Sequence, residues 1–362
     1  MIISGCASSS TDEEEGSGGA PAASVAKAQE AVDGWLEKPT SIGDLQPLTE
    51  RPPTDIHTVY IHTTTTTSEI SYKGIVAAGE VLGWRVTELL TGATPEDYAN
   101  TFQQALDLRP DAIMINAAAK EVYEALLPQA EELGIVVISD NAAAEPGGAL
   151  LSTAIDGPPQ FEAFGRQIAN YVVATSESTP HVQLFTLPVF QLLSSFDEAF
   201  EAELTKLWPG STVEVSEEQV TGIGNAIPGS VVGAVTREPE ANWVVFDFGS
   251  AAAGVPQALA VAGVSDRVQI AGAAPDAMAI DTLAQGATSA WATLTSPIAG
   301  WRMMDLLARH FVGDDVKAAE DVLLPLQLLT EDNVDDAVLD SDGNYVGQEG
   351  YEQQFAKLWQ LD

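Results

Sequence analysis

Residues 108–116 read LRPDAIMIN, and this stretch decides how the rest of the chain is read. Ala112, Ile113, Met114 and Ile115 are apolar without alternation. A strand of that kind buries both faces, which happens in parallel sheets covered by helices on both sides. The same design returns at 133–141, LGIVVISDN, where Gly134 closes a helix and 135–138 is again apolar. Working outward, 58–62 and 85–90 are strands, 68–82 is a helix, and 120–133 is the helix that Gly134 ends. Pro95 is preset for the first turn of a helix over 95–108, with Tyr98, Phe102, Ala105 and Leu106 on one face. Strands thus alternate with helices, the pattern of a doubly wound sheet.

The pattern then repeats. Helices are expected over 161–173, 190–207, 225–236, 252–262, 276–285 and 297–311. Strands are expected over 181–187, 212–215, 243–248, 268–271 and 289–294. Between the halves lies Ile155-Asp156-Gly157-Pro158-Pro159, a crossing segment. The fold class is therefore α/β, with two doubly wound parallel-sheet lobes. Open sheets of this type bind ligands at the carboxyl ends of their strands, so two lobes facing each other there create a cleft.

Composition narrows the function. The 362 residues are 45% hydrophobic and 19% charged, ordinary for a globular protein of two domains. Fifteen Lys and Arg stand against 53 Asp and Glu, for a net charge of −38. Such a surface repels phosphate backbones, so nucleic acid is not an expected partner. No stretch reaches the roughly 18 apolar residues that cross a bilayer.

Familiar catalytic and cofactor constellations are missing. There is no P-loop and no G-x-S-x-G elbow. Gly222-Ile223-Gly224 begins a dinucleotide-like run, but Ile227 stands where its third glycine belongs. His57, His62, His181 and His310 have no ligand spacing. Asp340-Ser341-Asp342-Gly343-Asn344 resembles the start of a calcium loop, but Tyr345 and Tyr351 occupy positions that need glycine and glutamate. No metal, no cofactor and no enzymatic activity are expected.

Several stretches carry a resemblance: 73–90, KGIVAAGEVLGWRVTELL; 108–116; 133–141; 268–285; and the helix holding Trp301. In order and spacing the chain resembles the periplasmic-binding-protein type I superfamily, close to its ribose-binding members, from residue 55 to 330. The tail DSDGNYVGQEGYEQQFAKLW and the proline-rich lead-in resemble lipid-anchored actinobacterial members. The resemblance implies a first lobe of 56–155 with 295–323 and a second of 156–294 with 324–345. A tether (1–23), an extended lead-in (24–55) and a helical tail (346–362) complete the chain. A three-segment hinge is implied near Ile155-Asp156, Thr295-Ser296 and Leu324-Pro325. The function implied is that of a monomeric extracytoplasmic receptor of an ABC importer. It would enclose a small-molecule solute by hinge closure and deliver it to the membrane permease. The same architecture also serves ligand-sensing ectodomains that signal to a membrane partner.

Ile3-Ser4-Gly5-Cys6 resembles a bacterial lipobox, which makes the single cysteine, Cys6, the lipid attachment site on the outer face of the cell membrane. Ser, Asp, Glu and Gly residues after it suit a flexible tether. Only Met1 and Ile2 precede the box, where a signal peptide needs a basic and then an apolar region, so a longer leader is expected.

The resemblance also places the pocket. Thr65 and Thr66 fall in the loop after the first strand. Asp140 matches the relatives' aspartate, and Asn141 stands where they have arginine. Another of their arginines falls near Ser194 or Phe196, an asparagine near Phe248, an aspartate at Ala274 and a glutamine near Leu294, beside Trp291. With Phe190, this replaces polar grips by aromatics. The expectation is an aromatic or alicyclic solute, with Asp140 and Asn141 fixing one hydroxyl or amine; the alternative is a sugar. Phe196 also belongs to an i, i+4, i+8 stripe with Phe200 and Leu204, which reads equally as core.

Overall fold

Strands that are apolar on both faces need helices on both faces, and the chain supplies this arrangement twice. The computed structural model describes residues 22–361, so Cys6 and the tether lie outside the described residues. The first sheet holds β1 (His57–His62), β2 (Arg85–Leu90), β3 (Ala112–Asn116), β4 (Val136–Asp140) and β5 (Leu150–Ser152). All are parallel, in the order β2-β1-β3-β4-β5. The second holds β6 (His181–Thr186), β7 (Thr212–Glu217), β8 (Trp243–Phe246), β9 (Gln269–Ala273), β10 (Ala290–Ala292) and β11 (Leu328–Thr330). Its order is β11-β10-β9-β8-β6-β7, and only β11 runs antiparallel to its neighbour. Central β3 and β4 are buried at every residue, whereas edge strands β2 and β7 keep exposed positions.

Several elements depart from the sequence reading, beginning with the lead-in given as extended over 24–55, which opens with the helix Ala22–Leu36. The helix expected over 120–133 is two 3-10 turns followed by Leu127–Leu133, because Pro128 cannot donate to the preceding turn. Gly134 ends it in the left-handed region, as expected. Strands β5 and β11 are three residues each and were not expected. One follows the Pro146-Gly147-Gly148 turn and the other follows Pro325, so neither has a periodic pattern long enough to register.

The apolar residues form separate cores for the two sheets. Phe164, Ile168, Phe200 and Trp243 belong to the second. Tyr60, Met114 and Trp301 lie on one side of the first sheet, with Ile113, Phe102 and Tyr123 on the other. The chain leaves the first core after Ile155 and enters the second at Phe161. It returns between Leu294 and Ile298 and leaves again between Leu324 and Leu326. Two further passages were not expected. Ala28 and Val32 of the helix Ala22–Leu36 pack in the second core, and Ile42, Leu45 and Leu48 in the first. Tyr345 packs in the second, and Tyr351, Phe355 and Trp359 in the first. Among the described residues, five segments therefore connect the lobes rather than three.

The helix Ser296–Val312 is buried at every residue from Ser296 to Arg309. It docks on the helix Thr66–Leu82 through two glycines. A Cβ on Gly300 would lie 2.4 Å from the Ser71 carbonyl oxygen, and one on Gly74 would lie 2.5 Å from that of Pro297. Gly300→Ala should therefore destabilise the protein by roughly 1–3 kcal/mol through overpacking. Gly34→Ala, in open space within the helix Ala22–Leu36, should stabilise it by roughly 0.5–1 kcal/mol. Urea denaturation of both variants checks the pair.

Candidate functional site

The carboxyl ends of β3 and β4 lie side by side, with Asn116 in register with Asp140. A polar relay runs along them. Thr65 caps the helix Thr66–Leu82, and its hydroxyl lies 2.6 Å from that of Ser68. Ser68 donates to Asn116 Oδ1 at 2.7 Å, and Asn116 Nδ2 donates to Asp140 Oδ2 at 2.9 Å. Asn141 Nδ2 reaches the same oxygen at 3.3 Å. The structure thus brings together three of the residues expected at the site, Thr65, Asp140 and Asn141, through Ser68 and Asn116, which sequence reasoning missed. Asn116 was legible in principle, as the polar end of an apolar strand, whereas Asp140 was placed by its match to the relatives' aspartate. Thr66 is an exposed first helical residue beside them.

Opposite this wall stands the loop after β6. Ala117, Lys120, Asn141 and Ala144 of the first lobe and Val189, Phe190, Gln191 and Leu192 of the second line one narrow cleft of about 70 Å³. Phe190 and Phe248 form a tilted pair with ring centroids 6.2 Å apart. Asp247 holds the loop from beneath, its Oδ2 accepting from the Leu187 amide at 3.3 Å.

The other expected aromatics are not in the cleft. Phe196 is fully buried in the second core and stacks on Phe200 at 6.0 Å, so its i, i+4 stripe is a core stripe. Trp291 is fully buried between strands, with Nε1 bonded to Thr288 Oγ1 at 3.0 Å. Its ring occupies the space where a side chain on Gly272 would stand, 2.6 Å from that Cβ position. A strand-end position identifies a cleft residue only when the side chain points along the strand. Trp291 points out of the sheet into the helix layer.

Backbone strain concentrates at the same ends. Ala117, Asn141 and Ala274 each follow a strand directly and adopt φ of 53°, 50° and 50°. Each still donates its amide across the sheet edge, Ala117 to Asp140, Asn141 to Ile155 and Ala274 to Ala292. The sheet edge therefore holds them where only glycine and asparagine sit easily. Strained residues at one end of a sheet mark that end as the working face.

Burial dominates the electrostatics. Asp140 is pushed up to about 7 by desolvation, with the Asn116 and Asn141 amides pulling the other way. Asp156, in the first crossing, is pushed up to about 8 by burial and then by the Asp140 charge, while Arg302 draws it down. Neither Asp156 carboxyl oxygen has a hydrogen-bond partner among the described residues. Asp247 rises to about 8 through burial and the neighbouring Asp197 charge.

Unfolded aspartates ionise near 4, so folding holds protons on these three. Stability is then fully present below about pH 4 and declines as pH rises through 7 to 8. The urea midpoint should fall between pH 5 and pH 8, and Asp156→Asn, which keeps the neutral shape, should flatten that fall. A midpoint that climbs over this range would contradict the assignment. Ala117→Gly should stabilise by roughly 0.5–1 kcal/mol, because relief of the left-handed strain exceeds glycine's unfolded-state entropy; thermal melts measure it.

None of the curated proteins compared matches the sequence. Solved structures do match in fold. A sugar ABC transporter subunit from Rhodobacter sphaeroides 2.4.1 aligns with a TM-score of 0.64 at 17% identity, covering 76% of this chain and 98% of that one. A periplasmic ribose ABC transporter protein from Conexibacter woesei DSM 14684 gives 0.64 at 14% identity, covering 79% and 95%. A solute-binding protein from Actinobacillus succinogenes 130z with bound D-allose gives 0.65 at 10% identity, covering 77% and 99%. The family model described as the periplasmic binding protein domain matches residues 59–315. With its two wound sheets and the cleft at their strand ends, the chain belongs to the periplasmic binding protein family.

Proposed function

We propose that this protein is the extracytoplasmic solute receptor of an ABC importer, and that its solute is a sugar or sugar-like polyol. The observation that carries the reading is the asymmetry of the cleft. One wall presents Lys120 and Asn141, with Asp140 and Asn116 buried directly behind Asn141, and the other presents Phe190 backed by Phe248. A pyranose or furanose has the matching form, with hydroxyls on its edge for a carboxylate and amides, and a face of C–H groups for an aromatic ring. The aromatic or alicyclic guest expected from the sequence is set aside. Two of its four aromatics, Phe196 and Trp291, are core residues. The solved structures alike in fold include sugar-binding ones, which supports the same choice.

In this reading the lobes close on the solute and the closed form is delivered to the permease. A solute touching both walls is bound best when they approach, so it shifts the population towards closure. The protein acts as a receptor, not an enzyme, works as a monomer, and is held at the membrane by a lipid on Cys6. No described helix is long and apolar enough to cross a membrane.

A thermal-shift panel of pentoses, hexoses and hexitols against aromatic and terpenoid compounds tests the solute class. A ligand at 100 times its Kd should stabilise by about 2.7 kcal/mol. Sugar-class compounds should raise the Tm, and Asp140→Ala should weaken the best of them roughly 10–100-fold by titration calorimetry. Stabilisation by aromatic or terpenoid compounds alone would overturn the sugar assignment.

A further inference from the structure

We propose that the two segments flanking the family domain form a clasp across the hinge, with Gln327 as its common anchor, which limits how far the lobes of the ligand-free receptor separate. The inference rests on the reading of the molecule as a receptor that closes. The family match ends at residues 59 and 315, and both extra passages between the lobes lie outside it. Residues 37–41 join the helix Ala22–Leu36 to the first lobe, and 346–350 join Tyr345 to the helix Tyr351–Leu358.

Each passage is fastened at both ends. In the first lobe, Arg302 donates to the Ile42 carbonyl at 2.6 Å and Arg309 to that of Gln46 at 2.7 Å. Trp359 stacks on Trp301 with centroids 5.4 Å apart and donates to Asp305 at 2.8 Å. The two extensions also bind each other there: the Leu48 amide donates to the Leu358 carbonyl at 2.9 Å, and Gln354 Oε1 accepts from the Ile42 amide at 3.2 Å.

In the second lobe both extensions meet one buried side chain. Gln327 Nε2 donates to the Leu36 carbonyl at 3.4 Å, and its Oε1 accepts from the Tyr345 hydroxyl at 2.6 Å. Its backbone carbonyl takes the Thr293 hydroxyl at 2.9 Å, so the same residue is laced to the second family crossing. Gly347, at φ +100°, lies where its Cβ would sit 2.7 Å from Thr295 Cγ2, so the tail passes directly over that crossing. The first and third crossings are laced in turn by the Leu324 amide to Gln160 Oε1 at 3.0 Å. Rotation of the lobes must shear five laced segments instead of three. The first-lobe fastenings include charge-assisted bonds and a ring stack, whereas Gln327 offers only neutral hydrogen bonds; the Leu36 carbonyl also accepts from Asn333 Nδ2 at 2.9 Å, so the Tyr345–Gln327 tie is where the clasp gives first. Limiting the separation of the empty lobes reduces the conformational cost that a solute must otherwise overcome.

The lone cysteine makes a direct test practical. In a Cys6→Ser background, spin labels at Leu133→Cys and Val261→Cys, exposed positions on opposite lobes, report the interlobe distance by pulsed electron resonance. The ligand-free full chain should give one narrow distribution. Tyr345→Phe should raise the open-to-closed ratio roughly fivefold, and Gln327→Ala by more, as expected for one and then two lost hydrogen bonds. Far-ultraviolet circular dichroism and the family-domain fold should be unchanged, and Tyr345→Phe guards against misfolding of the Gln327 variant. A broad or open distribution already present without substitution overturns the clasp and leaves the closing receptor intact. Narrow distributions in all three proteins overturn the clasp as the element that sets the interlobe distance, while the thermal-shift panel separately decides the receptor reading.

Discussion

Arg302 lies in the first lobe with its guanidinium almost wholly out of water, and much of the molecule is arranged around that fact. Burial draws even this group down to about 10. It is kept charged by carbonyls: Val322 at 2.7 Å, Ile42 at 2.6 Å and Ala319 at 3.4 Å. An unpaired buried cation costs far more than a helix can recover. The helix that carries it therefore folds only with the segments that supply those carbonyls. Asp305 and Arg309 repeat the logic one turn further on, joined to each other at 2.8 Å and to Trp359 and Gln46 beyond. The extensions are thus components of the first lobe, since they complete the polar inventory of its most buried helix.

The two ends of each sheet divide the labour. At one end and through the middle, unbroken apolar strands supply cohesion. At the carboxyl ends, buried carboxyls with an unpartnered oxygen accumulate, Asp140 and Asp247, with left-handed backbone at Ala117, Asn141 and Ala274. These features cost stability, and they persist because neighbouring amides and strand hydrogen bonds fix them. The cleft wall is built from residues that a pure folding requirement would have replaced. The net charge of −38 adds a surface that favours solubility and resists association with other anions.

The first-lobe relay and the second-lobe aromatic pair are held within separate lobes. Only the crossings bring them to face each other. The lacing of those crossings, through Gln160, Thr293 and Gln327, is therefore as much a part of solute recognition as the residues that line the cleft.

The resemblance to a known family placed Asp140, and periodicity and punctuation in the sequence determined the two wound sheets, most strand positions and the helix end at Gly134. These depend on local spacing and burial, which a linear pattern records. The tertiary structure alone decided the rest. Whether Phe196 and Trp291 face a cleft or a core depends on the direction of a side chain at a strand end or helix start, and the pattern of residues does not carry that direction. Strands of three residues, β5 and β11, have no period to read. The fastening of residues 42–48 and 351–359 to Arg302, Arg309 and Trp301 joins positions more than two hundred residues apart for the lead-in. Such contacts follow from buried polar groups finding partners in three dimensions, and no local rule encodes them.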